Sequence, residues 1–252
     1  NIFLLGLNGG KTEVEKSENL QNRGVYNLTL LWLLLKKLRA LHHEALIIHV
    51  HMFPAIFYVA LFNFFGLLKG KLVMTEHSTS NRRRDKWWGK ALDKFIYSQY
   101  SSIFAISRGV ANSIEQRQIT SVQKLKVIEN GSPLLFSHSI KRKVADKPLI
   151  ISIGSLRAPK NYPTAIKALA LIKYLPWDYS IIGEGPEREN LQQLINELNL
   201  EERIKLIGRV DPPTEQLKAA QLFLMPSTYE GFGLAALEAM NASLPMVVSD
   251  VD

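Results

Sequence analysis

PSTYEGFGLAALEAM, residues 226–240, takes the chain from a loop into a helix, and its reading decides the fold. Glu230 and Glu238 stand eight apart, with Gly231 and Gly233 between them. Gly231–Leu234 are predicted to open the helix, where backbone N–H groups lack intrahelical partners. Those donors and the positive end of the helix dipole make an anion site. Glycine removes the side chains that would keep a phosphate away. Eight residues of helical rise would put Glu238 roughly 12 Å beyond Glu230. Carboxylates that flank one glycosidic bond sit about 5–9.5 Å apart. The wider spacing fits a long ligand held at both ends, with a phosphate-like centre over the glycines. The plainer alternative is an amphipathic surface helix with a capping Glu and a glycine turn.

Working outward, Pro226-Ser227 precede the first Glu, GFGL (231–234) follows it, and EAM (238–240) holds the second. Pro245 and Val247–Asp250 (VVSD) come next. This order resembles the E-x7-E signature of the retaining glycosyltransferases of family 4, which have the GT-B fold. The resemblance implies an α/β protein of two Rossmann-like domains, with parallel sheets facing across a cleft. It implies that Glu230 touches hydroxyls of a donor sugar and that Glu238 accepts hydrogen bonds from ribose hydroxyls. The amides of Phe232, Gly233 and Leu234 would meet sugar or phosphate oxygens. Ser243 stands where Gly is usual after the helix, so that turn is expected to be strained.

Apolar periodicity agrees with alternating strands and helices, hence parallel sheets covered on both faces. Predicted strands are 2–6, 45–51, 71–76, 102–106 and 125–129, then 149–153, 179–183, 203–207, 221–225 and 245–249. Predicted helices are 27–41, 55–68, 87–99, 107–118, 162–174, 187–199, 214–220 and 232–241. Ser107 suits an N-cap and Pro213 a first helical turn. The polar stretch SHSIKRKVADKP (137–148) reads as the boundary. It separates an acceptor-side domain, 1–140, from a nucleotide-sugar domain, 147–252. Both ends read as cut. Family members usually begin with a strand, a glycine-rich loop and a helix. Asn8-Gly9-Gly10 resembles that loop, but residues 11–24 are polar and predict no crossover helix. The chain stops at SDVD, where further strands and closing helices are expected.

Other candidate residues follow predicted strands, as ligand sites in open α/β sheets do. In ISIGSLRAPKN (151–161), Lys160 matches the Lys of the family pattern G-R-L-x-x-x-K. Ser155 replaces its Arg, and Arg157 is the candidate substitute. Positive charge there would stabilise a departing diphosphate. Gly183-Glu184-Gly185-Pro186 resembles the family G-x-G-P beside the nucleotide. Gly208-Arg209-Val210 stands where backbone groups meet the base. His77 stands where a family His lies near the reacting sugar and acceptor. A lone His at a strand end is otherwise a structural residue. His49 and His51 share one face of a strand. They read as packing, or place His51 at the cleft edge, because a metal would need a third ligand. Asn130-Gly131 is a turn before the boundary.

The 252 residues carry a formal charge of +8 and no cysteine. The charge favours phosphorylated ligands, anionic lipid or nucleic acid. The missing cysteine excludes disulfides and thiolate chemistry. No signal peptide pattern is visible. Residues 52–68 carry no charge. Seventeen residues is the short limit for a membrane span, and Pro54, Asn63 and Gly66 favour a buried helix between strands. Arg82-Arg83-Arg84, Lys86, Trp87, Trp88 and Lys90 form a basic aromatic cluster suited to an anionic membrane surface or acceptor. No nucleic-acid module surrounds it.

The resemblance therefore implies transfer of a sugar from a nucleoside-diphosphate sugar to a glycan or lipid-linked acceptor, as in polysaccharide or lipopolysaccharide biosynthesis. It implies no cofactor and no metal. It implies a cytoplasmic place, with the basic first half on the inner membrane face. The rivals are a GT-B nucleotide-sugar epimerase and a non-catalytic basic membrane- or nucleic-acid-binding protein.

Overall fold

The computed structural model describes residues 4–6, 17–19, 28–41, 47–79, 83–84, 86–138, 140, 142 and 145–251, without the side chains of 4–6, 17–19 and 28. Two compact units, Asn1–Glu129 and Asn130–Asp252, divide the chain.

In the first unit β1 (Leu4–Gly6) pairs in parallel with β2 (Ser17–Asn19). Strand β2 was not predicted. Its sequence, SEN, has none of the apolar alternation that marks a strand. Next come α1 (Leu28–Leu41), β3 (Ile47–His51), α2 (Ala55–Phe64) and β4 (Lys71–Glu76). Then follow α3 (Gly89–Ser98), β5 (Ser102–Ala105), α4 (Arg108–Arg117) and β6 (Leu125–Val127). A parallel sheet of order β3-β4-β5-β6 forms the centre. Ser107 caps α4, its hydroxyl accepting the Val110 N–H at 3.1 Å.

The uncharged run 52–68 holds α2, which buries Ile56, Tyr58, Val59, Ala60 and Phe62. A helix apolar nearly all round belongs in a core. Among the described residues, no helix is long and apolar enough to cross a membrane.

Charged groups also lie inside this unit. Arg84, 6% exposed, donates to Glu76 Oε2 at 2.8 Å and to Asp93 Oδ2 at 3.2 Å. Its other donors meet the carbonyls of Ser78 and Thr79, each at 3.2 Å. Burial, helped by Glu76, pushes the Tyr97 phenol well up, so it stays a neutral donor to Glu76 Oε2 at 2.7 Å. The loop after β4 thus hangs on one guanidinium.

The second unit holds β7 (Leu149–Ile153), a short 3-10 turn (Ala158–Lys160), α5 (Tyr162–Leu171), β8 (Asp178–Ile182) and α6 (Arg188–Glu197). It continues through β9 (Ile204–Gly208), α7 (Thr214–Ala219), β10 (Leu222–Met225), α8 (Leu234–Asn241) and β11 (Met246–Val248). All strands pair in parallel, in the order β11-β10-β7-β8-β9. Successive residues of β7 serve opposite faces. Ile150 packs with Ile166, Tyr179 and Leu191, and Ile151 with Leu217, Phe223 and Ala239. Helices on both faces account for the unbroken apolar run LIISI.

The units part at Glu129/Asn130, ahead of the expected stretch 137–148. Asn241 Oδ1 accepts the N–H groups of Leu135 and Phe136 at 2.6 and 3.1 Å. Arg142, inside the stretch read as the boundary, donates to the carbonyls of Leu217 (2.8 Å), Ala220 (2.7 Å), Ala242 (2.5 Å) and Ser243 (3.2 Å). It satisfies carbonyls that the ends of α7 and α8 leave open. Ser243 takes the left-handed φ of 55° that Gly would adopt freely. Its N–H donates to Met240 O and that of Leu244 to Ala239 O.

Replacing Arg84 with Met should destabilise the first unit by about 3–5 kcal/mol, because Glu76 would lose its cation while buried and Asp93 would keep only Arg83. Urea unfolding measures this. A loss under about 1 kcal/mol, the size of an exposed pair, would show that the network is solvated.

Candidate functional site

Strand order places the site in the second unit. From β7 the chain steps outward through β8 and β9, then returns to the other side of β7 as β10. The loops leaving β7 and β10 flank this reversal, where open α/β sheets bind ligands. A backbone bond joins them, Thr228 N–H to Pro159 O at 2.8 Å. Lys160, from the first loop, reaches Glu230, from the second, at 2.5 Å between Nζ and Oε1. The buried Ser227 hydroxyl donates to the same oxygen at 2.7 Å. The Lys160 and Glu230 side chains are 22% and 16% exposed, so the pair is neither dry nor fully solvated. Beneath it lies Tyr162, whose phenol is pushed up by burial and then by Glu230. A Cβ on Gly154 would stand 2.9 Å from the Tyr162 oxygen and 3.1 Å from Lys160 Cε. Glycine there leaves room for both.

Gly183 and Gly185 hold the β8 loop against the β7 loop. A Cβ on Gly183 would strike the Gly154 carbonyl, and one on Gly185 the Leu156 carbonyl. Backbone bonds run on past the strands: Gly154 N–H to Ile182 O, Gly183 N–H to Gly208 O, Leu156 N–H to Glu184 O. These loops form one layer along the strand ends.

Helix α8 starts at Leu234, later than expected. Gly233 is its N-cap at φ 80°, with no side-chain cap. Its open donors therefore begin beyond Gly231 and Phe232, both partly buried. Glu230 lies four residues before the helix, so regular helical rise does not set its distance from Glu238. Glu238 is itself within α8. Burial, and then Asp211, push its carboxyl above the ordinary value. Asp211 follows Arg209 and Val210 in the loop after β9. Val210 packs on the core, while Arg209 pairs with Asp211 at 3.3 Å with both side chains largely exposed. Arg157 is exposed at the start of the 3-10 turn. Sequence reading missed Ser227, Tyr162 and Asp211 as neighbours of the glutamates. Ser227 had a signal, since it belongs to the quoted stretch; the other two had none.

In the first unit His77 follows β4, and its N–H donates to Glu76 Oε1 at 3.1 Å. His51 Nδ1 lies 3.0 Å from His77 Nε2, and His49 Nε2 lies 2.7 Å from Thr75 Oγ1. Burial is the main cause pushing all three imidazoles down, His51 to about 4. Among the described residues, no three His, Cys, Asp or Glu side chains are grouped to hold a metal. The basic aromatic cluster needs correction. Arg84 is buried and Arg83 is paired with Asp93 at 2.8 Å, so neither is part of a solvated face. Lys86, Trp87, Trp88 and Lys90 are exposed, Trp87 at 93%. Arg82 and Asn8-Gly9-Gly10 lie outside the described residues.

Comparison with known proteins follows this division. The family model "Glycosyltransferase Family 4" matches residues 10–134, and "Glycosyl transferases group 1" matches 136–252. A Campylobacter jejuni N-acetylgalactosamine-N,N'-diacetylbacillosaminyl-diphospho-undecaprenol 4-alpha-N-acetylgalactosaminyltransferase is 28% identical over 163 residues, 64% of this chain and 44% of that protein. The Bacillus subtilis poly(glycerol-phosphate) alpha-glucosyltransferase is 27% identical over 195 residues, 73% of this chain and 27% of that protein. The chain thus spans less than half the length of these curated relatives. Among solved structures, Anabaena HepE in complex with UDP and glucose superposes with a TM-score of 0.78 at 22% identity, covering 94% of this chain and 68% of that one. With two parallel α/β units and a matching family model on each, the chain belongs to the GT-B glycosyltransferases of family 4.

Proposed function

We propose that the chain binds a nucleoside-diphosphate sugar at the β7–β10 reversal and transfers its sugar, with retention, to an acceptor hydroxyl. The Lys160–Glu230 pair beside the start of α8 carries this reading. In the free chain the two charges satisfy each other. An incoming diphosphate competes for Lys160 and the α8 donors, which releases Glu230 to accept hydroxyls of the sugar. As the glycosidic bond breaks, charge grows on the diphosphate and meets Lys160. Departure and attack occur on the same face, through an oxocarbenium-like sugar. Glu238 takes the ribose hydroxyls, and backbone of the Arg209-Val210 loop takes the base. Arg157 supplies the charge lost at Ser155, and in the first unit His77 is the residue that meets substrate. The reaction so described needs no metal or cofactor. The names of the relatives support a glycan or lipid-linked acceptor, and HepE with UDP supports the donor class.

The proposed place is the cytoplasmic membrane face. Exposed Trp87 and Trp88 beside Lys86 and Lys90 suit the interface of an anionic bilayer.

A thermal-shift screen of nucleotide sugars on the whole enzyme tests the central reading. A ligand at 100 times its Kd adds about 2.7 kcal/mol of stability. No stabilisation by any nucleotide sugar would defeat it.

The ion pair gives the variants distinct signatures. Lys160→Ala should weaken nucleoside diphosphate binding roughly 10–100-fold, the worth of a hydrogen bond to a charged group. Glu230→Gln should leave that affinity unchanged or tighter, because Lys160 is released, yet weaken the intact donor and slow turnover. Glu238→Gln should weaken the bare nucleotide. Calorimetry with nucleoside diphosphate and then donor separates these outcomes. Equal losses for both ligands in both glutamate variants would refute the two-ended grip.

Replacing Trp87 and Trp88 together with Ala should reduce sedimentation of the protein with vesicles containing phosphatidylglycerol. Wild type that ignores such vesicles would remove the membrane surface from the proposal.

A further inference from the structure

Strand register brings His51 and His77 together. β3 and β4 pair in parallel with His51 opposite Thr75, so the ring two residues beyond Thr75 lies beside the end of β3. The imidazole centroids are 5.3 Å apart, with Nδ1 of His51 3.0 Å from Nε2 of His77. His49 stands on the same face of β3, its ring 4.3 Å from that of His51. Phe104 of β5 meets His49 edge-on at 5.6 Å.

A nitrogen-to-nitrogen hydrogen bond needs one N–H and one lone pair. Two neutral imidazoles supply these, and two imidazolium ions cannot. We infer that His51 is a positioning residue for His77, sharing one proton across Nδ1···Nε2 and so fixing the ring plane and tautomer that His77 shows to substrate. This deepens the reading above and rests on the role given there to His77.

The bond leaves His77 Nδ1 as the ring nitrogen for substrate. With the shared hydrogen on His51, Nδ1 of neutral His77 carries the other proton and donates to a substrate hydroxyl. With it on His77, Nδ1 offers a lone pair. The ring is uncharged in both cases. Only a neutral ring can be set either to donate or to accept at Nδ1, whereas an imidazolium donates at both nitrogens. The surrounding charges agree. Glu76, whose carboxylate raises the His77 pKa, is already committed to the N–H groups of His77 and Ser78, to Arg84 and to Tyr97. Burial outweighs it at His77, while burial, His49 and His77 act together on His51. Asp93 is bound to Arg83 and Arg84. Both rings are thus held below the ordinary imidazole value, His51 at about 4, and the pair is neutral at pH 7.

The test uses the whole enzyme, labelled with 15N at the imidazole nitrogens, in wild type, His51→Ala and His51→Asn. In wild type, His77 should show one neutral tautomer. In His51→Ala both tautomers should appear, and the His77 midpoint should rise by about one unit as the bond to its neutral form is lost. Turnover should fall about tenfold with donor KM unchanged, and its acid limb should move up in pH. Asn carries a donor and an acceptor near the place of Nδ1, so His51→Asn should restore turnover to within about threefold. Unchanged His77 signals in His51→Ala overturn the shared proton, whatever the chain transfers. Altered signals with wild-type turnover overturn the positioning role and leave the transferase reading intact. Absence of transfer by wild type overturns that reading instead, and with it the positioning role, though the spectra would still report the hydrogen bond.

Discussion

A lysine and a glutamate seventy positions apart meet where the second sheet reverses direction, and that contact organises the half of the protein around it. It exists because β7 and β10 are neighbours, although the chain builds two strand–helix units between them. Each of the two charges is balanced by the other. A partly buried cation and anion left apart would each suffer desolvation without compensation. Together they hold both loops in one geometry. The Thr228–Pro159 backbone bond and the Ser227 hydroxyl fix that geometry further.

The first unit solves a similar problem differently. Its β4 loop is fastened by a buried guanidinium between two carboxylates, with a phenol completing the set. Such a network is expensive to desolvate and gains little over apolar packing. What it provides is direction: Arg84 takes the carbonyls of Ser78 and Thr79, so His77 leaves the strand at a defined angle. The second unit uses glycine for the same end, letting backbone touch backbone along the strand ends where any Cβ would separate the loops.

Much of this was legible in the sequence because burial on both faces writes long apolar runs. LIISI and the uncharged segment around α2 announce their elements without help from homologous chains. The short β2 left no such trace, because three polar residues paired through backbone carry no pattern. Lys160 and Glu230 were each singled out, yet their contact was hidden, since adjacency across a sheet is a property of strand order. Arginine misled twice for one reason. Sequence records its charge but not its partners, so Arg84 looked like surface and Arg142 like part of a boundary. Each instead saturates acceptors contributed by residues far along the chain.

The grip of Arg142 sets how this protein can be divided. The second half does not begin with its first strand. Its natural edge lies at Asn130, some way upstream of β7, because the intervening segment supplies the stopper for two helix ends and the backbone donors that Asn241 receives. A piece trimmed back to the proline before β7 would keep every strand and helix of the sheet. It would also expose the undersides of α7 and α8, and α8 is the helix that presents Glu238.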